Sequence, residues 1–129
     1  MPLKAYFDVV NQKRVEMLQD LGLLFMRIFI AGTMLLAHGY GKFTTVLSGD
    51  IQFGDPIGIG AVPSFILVTL AEFLCSILVI IGLATRLSVI PLIIAMFVAF
   101  FIYHADDPFG QKERALIYFF SFITLLLTG

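Results

Sequence analysis

The sequence predicts an all-α integral membrane protein, a four-helix bundle built from antiparallel hairpins. Three observations predict it. Hydrophobic residues make up 60 % of the 129 residues and charged residues 13 %, against roughly 45–50 % and about 25 % in soluble domains. The mean hydropathy is +1.02, so a globule of this size in water could not hide its apolar surface. The apolar residues also fall into four long blocks, and these are apolar throughout. Phe65-Ile66-Leu67-Val68 and Ile93-Ile94-Ala95-Met96-Phe97-Val98 lack the period-two alternation of an outer-membrane barrel strand. The same composition excludes disorder. A net charge of −1 argues against nucleic acid as a partner. The single cysteine, Cys75, excludes a disulfide framework and an all-cysteine metal site.

Each element follows from its local pattern. Residues 1–20 carry Lys4, Asp8, Lys13, Arg14, Glu16 and Asp20 and no apolar stretch of the kind a cleaved signal needs. They are expected to form an N-terminal amphipathic arm lying at the membrane surface on Tyr6, Phe7, Val10, Val15 and Leu18. A bilayer span needs about 20 apolar residues. The first candidate is 21–40, interrupted by Arg27 and His38; the second is 62–84, interrupted by Glu72; the third is 87–104, with Pro91 inside. The fourth, 115–128, is fourteen residues long, about 21 Å as a helix, and is expected to borrow residues before Ala115. Spans two and three join through Gly82-Leu83-Ala84-Thr85-Arg86, a tight turn with glycine at the helix end. The two longer loops each hold Asp-Pro-x-Gly, as Asp55, Pro56, Gly58 and as Asp107, Pro108, Gly110, read as turns. The Asp-Pro pairs are 52 residues apart and the two histidines 66, so an internal repeat is rejected. Lys4, Lys13, Arg14 and Arg86 on one side against Lys42, Lys112 and Arg114 on the other place both termini in the cytoplasm.

Ionisable groups at membrane depth are costly, so they turn inward and pair or serve a function. Arg27, Ala31, Leu35, His38 and Lys42 form one stripe on the first helix at 100° per residue. Glu72 lies near the middle of the second span. The rise per residue brings it to a depth similar to that of Arg27, so a buried Arg27–Glu72 ion pair is expected. That pair either only locks helix one to helix two or also handles protons or substrate. His38 and His104 come out at one depth on the outer side, with Lys42 beside them and Asp106, Asp107 and Glu113 on the adjoining loop. A polar pocket there could hydrogen-bond a carbonyl or relay a proton; the alternative is two helix-end histidines satisfied by backbone or water. Two histidines are too few for a zinc or copper site. Cys75 reads as packing. Tyr103 and Tyr118 read as interfacial, and Ala95 with Ala99 as a close-contact pair between helices. Gly54, Gly58 and Gly60 do not make a nucleotide loop, since no Gly-Lys-Ser/Thr follows and no strand precedes.

The ordered series His38-Gly39-Tyr40-Gly41-Lys42-Phe43, Asp55-Pro56-Ile57-Gly58-Ile59-Gly60, Ala71-Glu72-Phe73, Gly82-Leu83-Ala84-Thr85-Arg86-Leu87 and His104-Ala105-Asp106-Asp107-Pro108-Phe109 resembles the DoxX family of small bacterial membrane proteins over nearly the whole of 21–129. The family pattern matches here at Arg27, His38, Gly39, Lys42, Glu72 and Arg86. The resemblance implies a four-helix protein of the bacterial inner membrane. The family takes its name from a membrane subunit associated with thiosulfate:quinone oxidoreductase. This chain has no cysteine pair, haem-ligand pair or flavin motif, so it is not expected to carry a redox centre or to be catalytic alone. The leading expectation is a membrane subunit of a quinone-linked redox system. It would bind a quinone- or lipid-like molecule near the outer interface through His38, Lys42, Glu72 and His104. The other two readings are a purely structural assembly subunit and an oligomeric small-solute or lipid transporter gated by Arg27 and Glu72. Membrane lipid and further copies or subunits of a membrane complex are the expected partners.

Overall fold

In hydrocarbon every backbone N–H and C=O must be satisfied within the protein, and an apolar segment does this locally only as a helix. The computed structural model describes residues 1–129 and contains no strand. Four continuous helices account for the apolar runs: α1 (Leu3–Ser48), α2 (Ala61–Ile81), α3 (Thr85–Tyr103) and α4 (Phe109–Thr128). The first three are long and apolar enough to cross a membrane. α4 has twenty residues, about 30 Å. It begins six residues before Ala115, as the short apolar run requires, and carries Lys112, Glu113 and Arg114 near its start.

The helices form a ring in which sequence neighbours run antiparallel. α1 meets α2 where Phe43 stacks on Phe73 with ring centroids 4.2 Å apart. α3 meets α4 where Phe97 approaches Phe119 and Lys112 lies over the Phe100 ring. The ring closes between α4 and α1, with Tyr118 edge-on to His38 at 5.7 Å. Both chain ends and the Gly82–Ala84 turn lie at one end of the bundle, and both longer loops lie at the other.

Burial is inverted relative to a soluble bundle. Only 18 of 129 residues are buried, while Leu36, Leu87, Phe120 and Leu127 are among the large apolar side chains that stand exposed on the outside. Lipid, not water, is the solvent that makes this stable. The interior core is Ala31 and Met34 of α1, Val79 of α2, Val89, Leu92 and Met96 of α3, and Tyr118, Phe122 and Leu125 of α4. It fills the half of the bundle nearer the chain ends. The other half is open inside.

The tight turn ends α2 as glycine allows. Gly82 takes φ +75°, its N–H donates to the carbonyl of Val79, and Leu83 N–H reaches back to Leu78. This is a Schellman cap. The Asp55 turn is also as expected. The Asp55 carboxylate accepts hydrogen bonds from Ile59 N–H (3.1 Å), Gly60 N–H (2.7 Å) and Ser64 Oγ (2.8 Å), with Gly58 at φ +76°. It thereby ties the loop to the first turn of α2. The hydrogen bond from Ser64, with those from Gly60 and Ile59, holds this carboxyl below its ordinary pKa in spite of some desolvation. A depressed carboxyl adds stability above its ordinary pKa and loses it as pH falls through the lower, folded value. The protection of the Ile59 and Gly60 amides, relative to their intrinsic exchange at each pH, should therefore hold down to the ordinary carboxylate range and fall only below it, whereas in Asp55→Ala it should be low at every pH.

Two expectations are corrected here. The N-terminal arm is not a separate helix but continues into the first span. Residues 3–48 form one helix of 46 residues, about 69 Å long, and nearly every side chain from Leu3 to Leu21 is exposed. No glycine or proline interrupts residues 3–21, so the helical hydrogen bonding of the span continues through them and carries them past the bundle end. The second Asp-Pro-x-Gly, read as a turn, is instead the start of a helix. Its turn precedes it, with Asp107 N–H bonded to the His104 carbonyl. Pro108 stands just before α4, and Gly110 lies inside that helix. Proline is well suited to a helix start because it has no N–H to leave unpaired.

Candidate functional site

Three helices are locally underwound. π-helical turns occupy Leu35–Gly39 in α1, Leu70–Cys75 in α2 and Ala99–Tyr103 in α3. Each inserts a residue into the helical ladder, a feature concentrated at functional sites. All three contribute residues to the same interior space: His38, Ala71 and Glu72, and Ala99 with Tyr103. That space is a cavity of about 510 Å³ between the helices, in the size range of small-molecule sites. Its walls are mostly apolar, including Met34, Leu67, Val68, Ile94 and Val98, and its polar groups are few: His38, Lys42, Ser64, Glu72, Tyr103, His104, Gln111, Arg114 and Tyr118.

An ion pair lies on its wall. Lys42 Nζ lies 2.7 Å from Glu72 Oε2, with 24 % of the lysine side chain and 5 % of the glutamate side chain exposed. The register that makes this pair is set by Gly39. A Cβ on Gly39 would stand 2.7 Å from the Glu72 carbonyl carbon and 2.9 Å from Phe73 Cα. The two backbones touch there, and Lys42, one turn on, is delivered to the Glu72 carboxylate.

The expected Arg27–Glu72 pair is therefore not formed. Arg27 sits at the far end of the bundle, its guanidinium beside Gly82, ten residues along α2 from Glu72, or about 15 Å. The expectation centred the first span on 21–40. The real helix runs well beyond both ends of that range, and the glycine contact, not hydropathy, sets its register against α2. The stripe Arg27, Ala31, Leu35, His38, Lys42 does face inward, as the cost of charge in lipid demands. Arg86, at the start of α3, lies against Gly129.

His38 and His104 line the one cavity. His104 Nδ1 is 2.6 Å from Asp107 Oδ2, so the third helix ends in an imidazole–carboxylate pair at the cavity rim. His38 is half-buried against Tyr118. Tyr118 is not an interfacial anchor, whereas Tyr103 stands partly exposed at the loop end of α3. Tyr118 is in the core, and Tyr103 stacks on Phe53 of the loop before α2. Arg114 and Tyr118 are cavity residues that the sequence reading missed. Their signal was the spacing Arg114, Tyr118, Phe122, Leu125, a helical face masked by the surrounding apolar residues.

The arrangement can hold a largely apolar molecule and offer hydrogen bonds to it from its few polar groups. Comparison with known proteins bears on what it is. The DoxX family model matches residues 22–105. A curated protein of Bacillus subtilis (strain 168), named "Putative oxidoreductase CatD", is 33 % identical over 113 residues, covering 85 % of this chain and 81 % of its own.

The chain belongs to the DoxX family.

It is a small multi-pass membrane protein of that family. The DoxX match runs from Gly22 to Ala105, so it takes in α1 from the start of the bundle, the Lys42–Glu72 pair and both histidines. It leaves out the projecting part of α1 and the whole of α4. Yet α4 closes the DoxX cavity, through Arg114, Ala115 and Tyr118. No solved structure matches the chain.

Proposed function

We propose that this DoxX protein binds a quinone-like molecule in the interhelical cavity and serves as a small membrane subunit of a quinone-linked redox system in the bacterial inner membrane. Both termini and the Gly82–Ala84 turn would lie in the cytoplasm. The observation that carries the reading is the Lys42–Glu72 pair on the wall of a mostly apolar cavity. A lysine ammonium has three protons, and one serves Glu72, which leaves donors for a ligand carbonyl. His38 and His104 supply imidazoles that can donate to a carbonyl or carry a proton. The apolar walls suit a ring and its hydrocarbon tail, and the oxidoreductase name of the relative points the same way. Electrons would come from a partner subunit, and this chain would position the quinone and deliver protons to it.

The test is a binding titration of a short-tailed quinone analogue to the detergent-purified protein, compared with His38→Ala, His104→Ala and Glu72→Gln. A hydrogen bond to an uncharged carbonyl contributes about 0.5–1.5 kcal/mol, so affinity should fall up to about tenfold for at least one histidine and for Glu72→Gln. Equal affinity in all four proteins sinks the proposal.

A further inference from the structure

The bundle end opposite the interhelical cavity gathers two arginines that form no ion pair with any side chain of the chain. Arg27 of α1 and Arg86 of α3 line one open hollow of about 490 Å³, together with Gly82, Thr85 and Leu87. Arg27 approaches the turn where Gly82 has no side chain: a Cβ there would meet its Nη2 at 3.1 Å. Arg86 lies the same way against Gly129, its Nε 3.1 Å from where a Cβ would be.

Neither guanidinium has an aspartate or glutamate within 4.0 Å, since the chain's ion pairs are Lys42–Glu72 and His104–Asp107. Neither makes a hydrogen bond to the protein, and Arg27 Nε is buried without a partner. The nearest acidic residue along α1, Asp20, is seven residues away, about 10 Å. The amides of Arg86 and Leu87, in the first turn of α3, also donate to no backbone acceptor. Each arginine gains a little from the carbonyl end of a neighbouring helix, but that supplies no full counter-charge. Two guanidinium forks around one hollow suit a tetrahedral, multiply accepting anion better than a single carboxylate. Leu83 and Leu87 are exposed beside it and present an apolar surface next to the two guanidinium groups.

We propose that Arg27 and Arg86 bind a phosphate group, that of an anionic phospholipid whose acyl chains lie over Leu83 and Leu87. The site is independent of the cavity and of any quinone. Basic hollows between membrane helices hold phospholipid head groups by this chemistry.

Thermal unfolding of the full chain in neutral detergent tests the site. Phosphatidylglycerol should raise the midpoint in a saturable way and phosphatidylcholine should not. Arg27→Gln and Arg86→Gln should each raise the phosphatidylglycerol concentration needed by at least tenfold. Arg14→Gln, on the projecting part of α1, should leave it unchanged. Inorganic phosphate at millimolar concentration, if it matches the lipid in the wild type and fails in the two arginine variants, supports the phosphate site with a soluble source in place of the lipid. Equal shifts from the two lipids in the wild type overturn the proposal without recourse to any variant. Unchanged lipid dependence in both arginine variants, or an equal loss in Arg14→Gln, overturns it too.

Discussion

Gly39→Ala should destabilise the protein by about 3 kcal/mol and weaken ligand binding in the cavity, although alanine is the better helix former. Helix propensity alone predicts the opposite sign, a gain of about 1 kcal/mol. Packing decides against it. The new methyl would meet backbone atoms of Glu72 and Phe73 at 2.9 Å or less, and backbone cannot rotate away as a side-chain end can. α1 and α2 would have to separate, at the 1–3 kcal/mol or more of an overpacked core. The separation would pull Lys42 from Glu72 and Phe43 from Phe73. Gly32→Ala and Gly41→Ala are the controls, since a Cβ at either meets nothing within 4 Å; both should be neutral or slightly stabilising. Unfolding midpoints of the three variants in one detergent check this. A stabilised Gly39→Ala would refute the helix contact on which the site geometry rests.

Lys42→Met should cost about 3–5 kcal/mol, because it strands a buried carboxylate without its cation. Glu72→Gln should cost less. The lysine side chain keeps 24 % of its surface exposed against 5 % for the glutamate, so an orphaned ammonium can still reach water or head groups by extending. The double variant Lys42→Met/Glu72→Gln should recover most of the loss, since it leaves no unpaired charge. A double-mutant cycle in thermal stability measures the coupling. Additive effects of the two single changes would show that the contact carries no coupling energy. Arg27→Gln gives the complementary result: with no contact to Glu72, it should not couple to Glu72→Gln.

Much of the architecture was readable from hydropathy because lipid imposes a local rule. A segment that must satisfy its own backbone in hydrocarbon is a helix wherever it occurs, so the α2 and α3 boundaries fall within three residues of the predicted 62–84 and 87–104. The Gly82 cap and the Asp55 turn were readable for a related reason: both depend on residues a few positions apart. The inward stripe on α1 follows from the cost of charge in lipid, again without reference to any partner helix.

What hydropathy could not supply was relative register. Arg27 and Lys42 both lie on the inward stripe, and both are cations that Glu72 could have taken. Which one meets it depends on how far α1 slides along α2, and the close approach at Gly39 settles that distance. The π-helical turns that bring His38, Glu72 and Tyr103 to one cavity were also out of reach, because a residue added to the helical ladder is invisible in the residue order. So was the role of α4, whose Arg114 and Tyr118 reach the cavity only because that helix packs back along α3 and closes on α1.

The amino-acid order alone settled that the chain is helical, lives in a membrane and turns the few ionisable groups within its spans inward, since each of these follows from the transfer energy of a residue and its near neighbours. Only the three-dimensional packing decided that Lys42, and not Arg27, neutralises Glu72, and that the two arginines gather unpaired at the opposite end. Contacts between distant segments depend on helix offset and backbone approach, which no residue carries by itself.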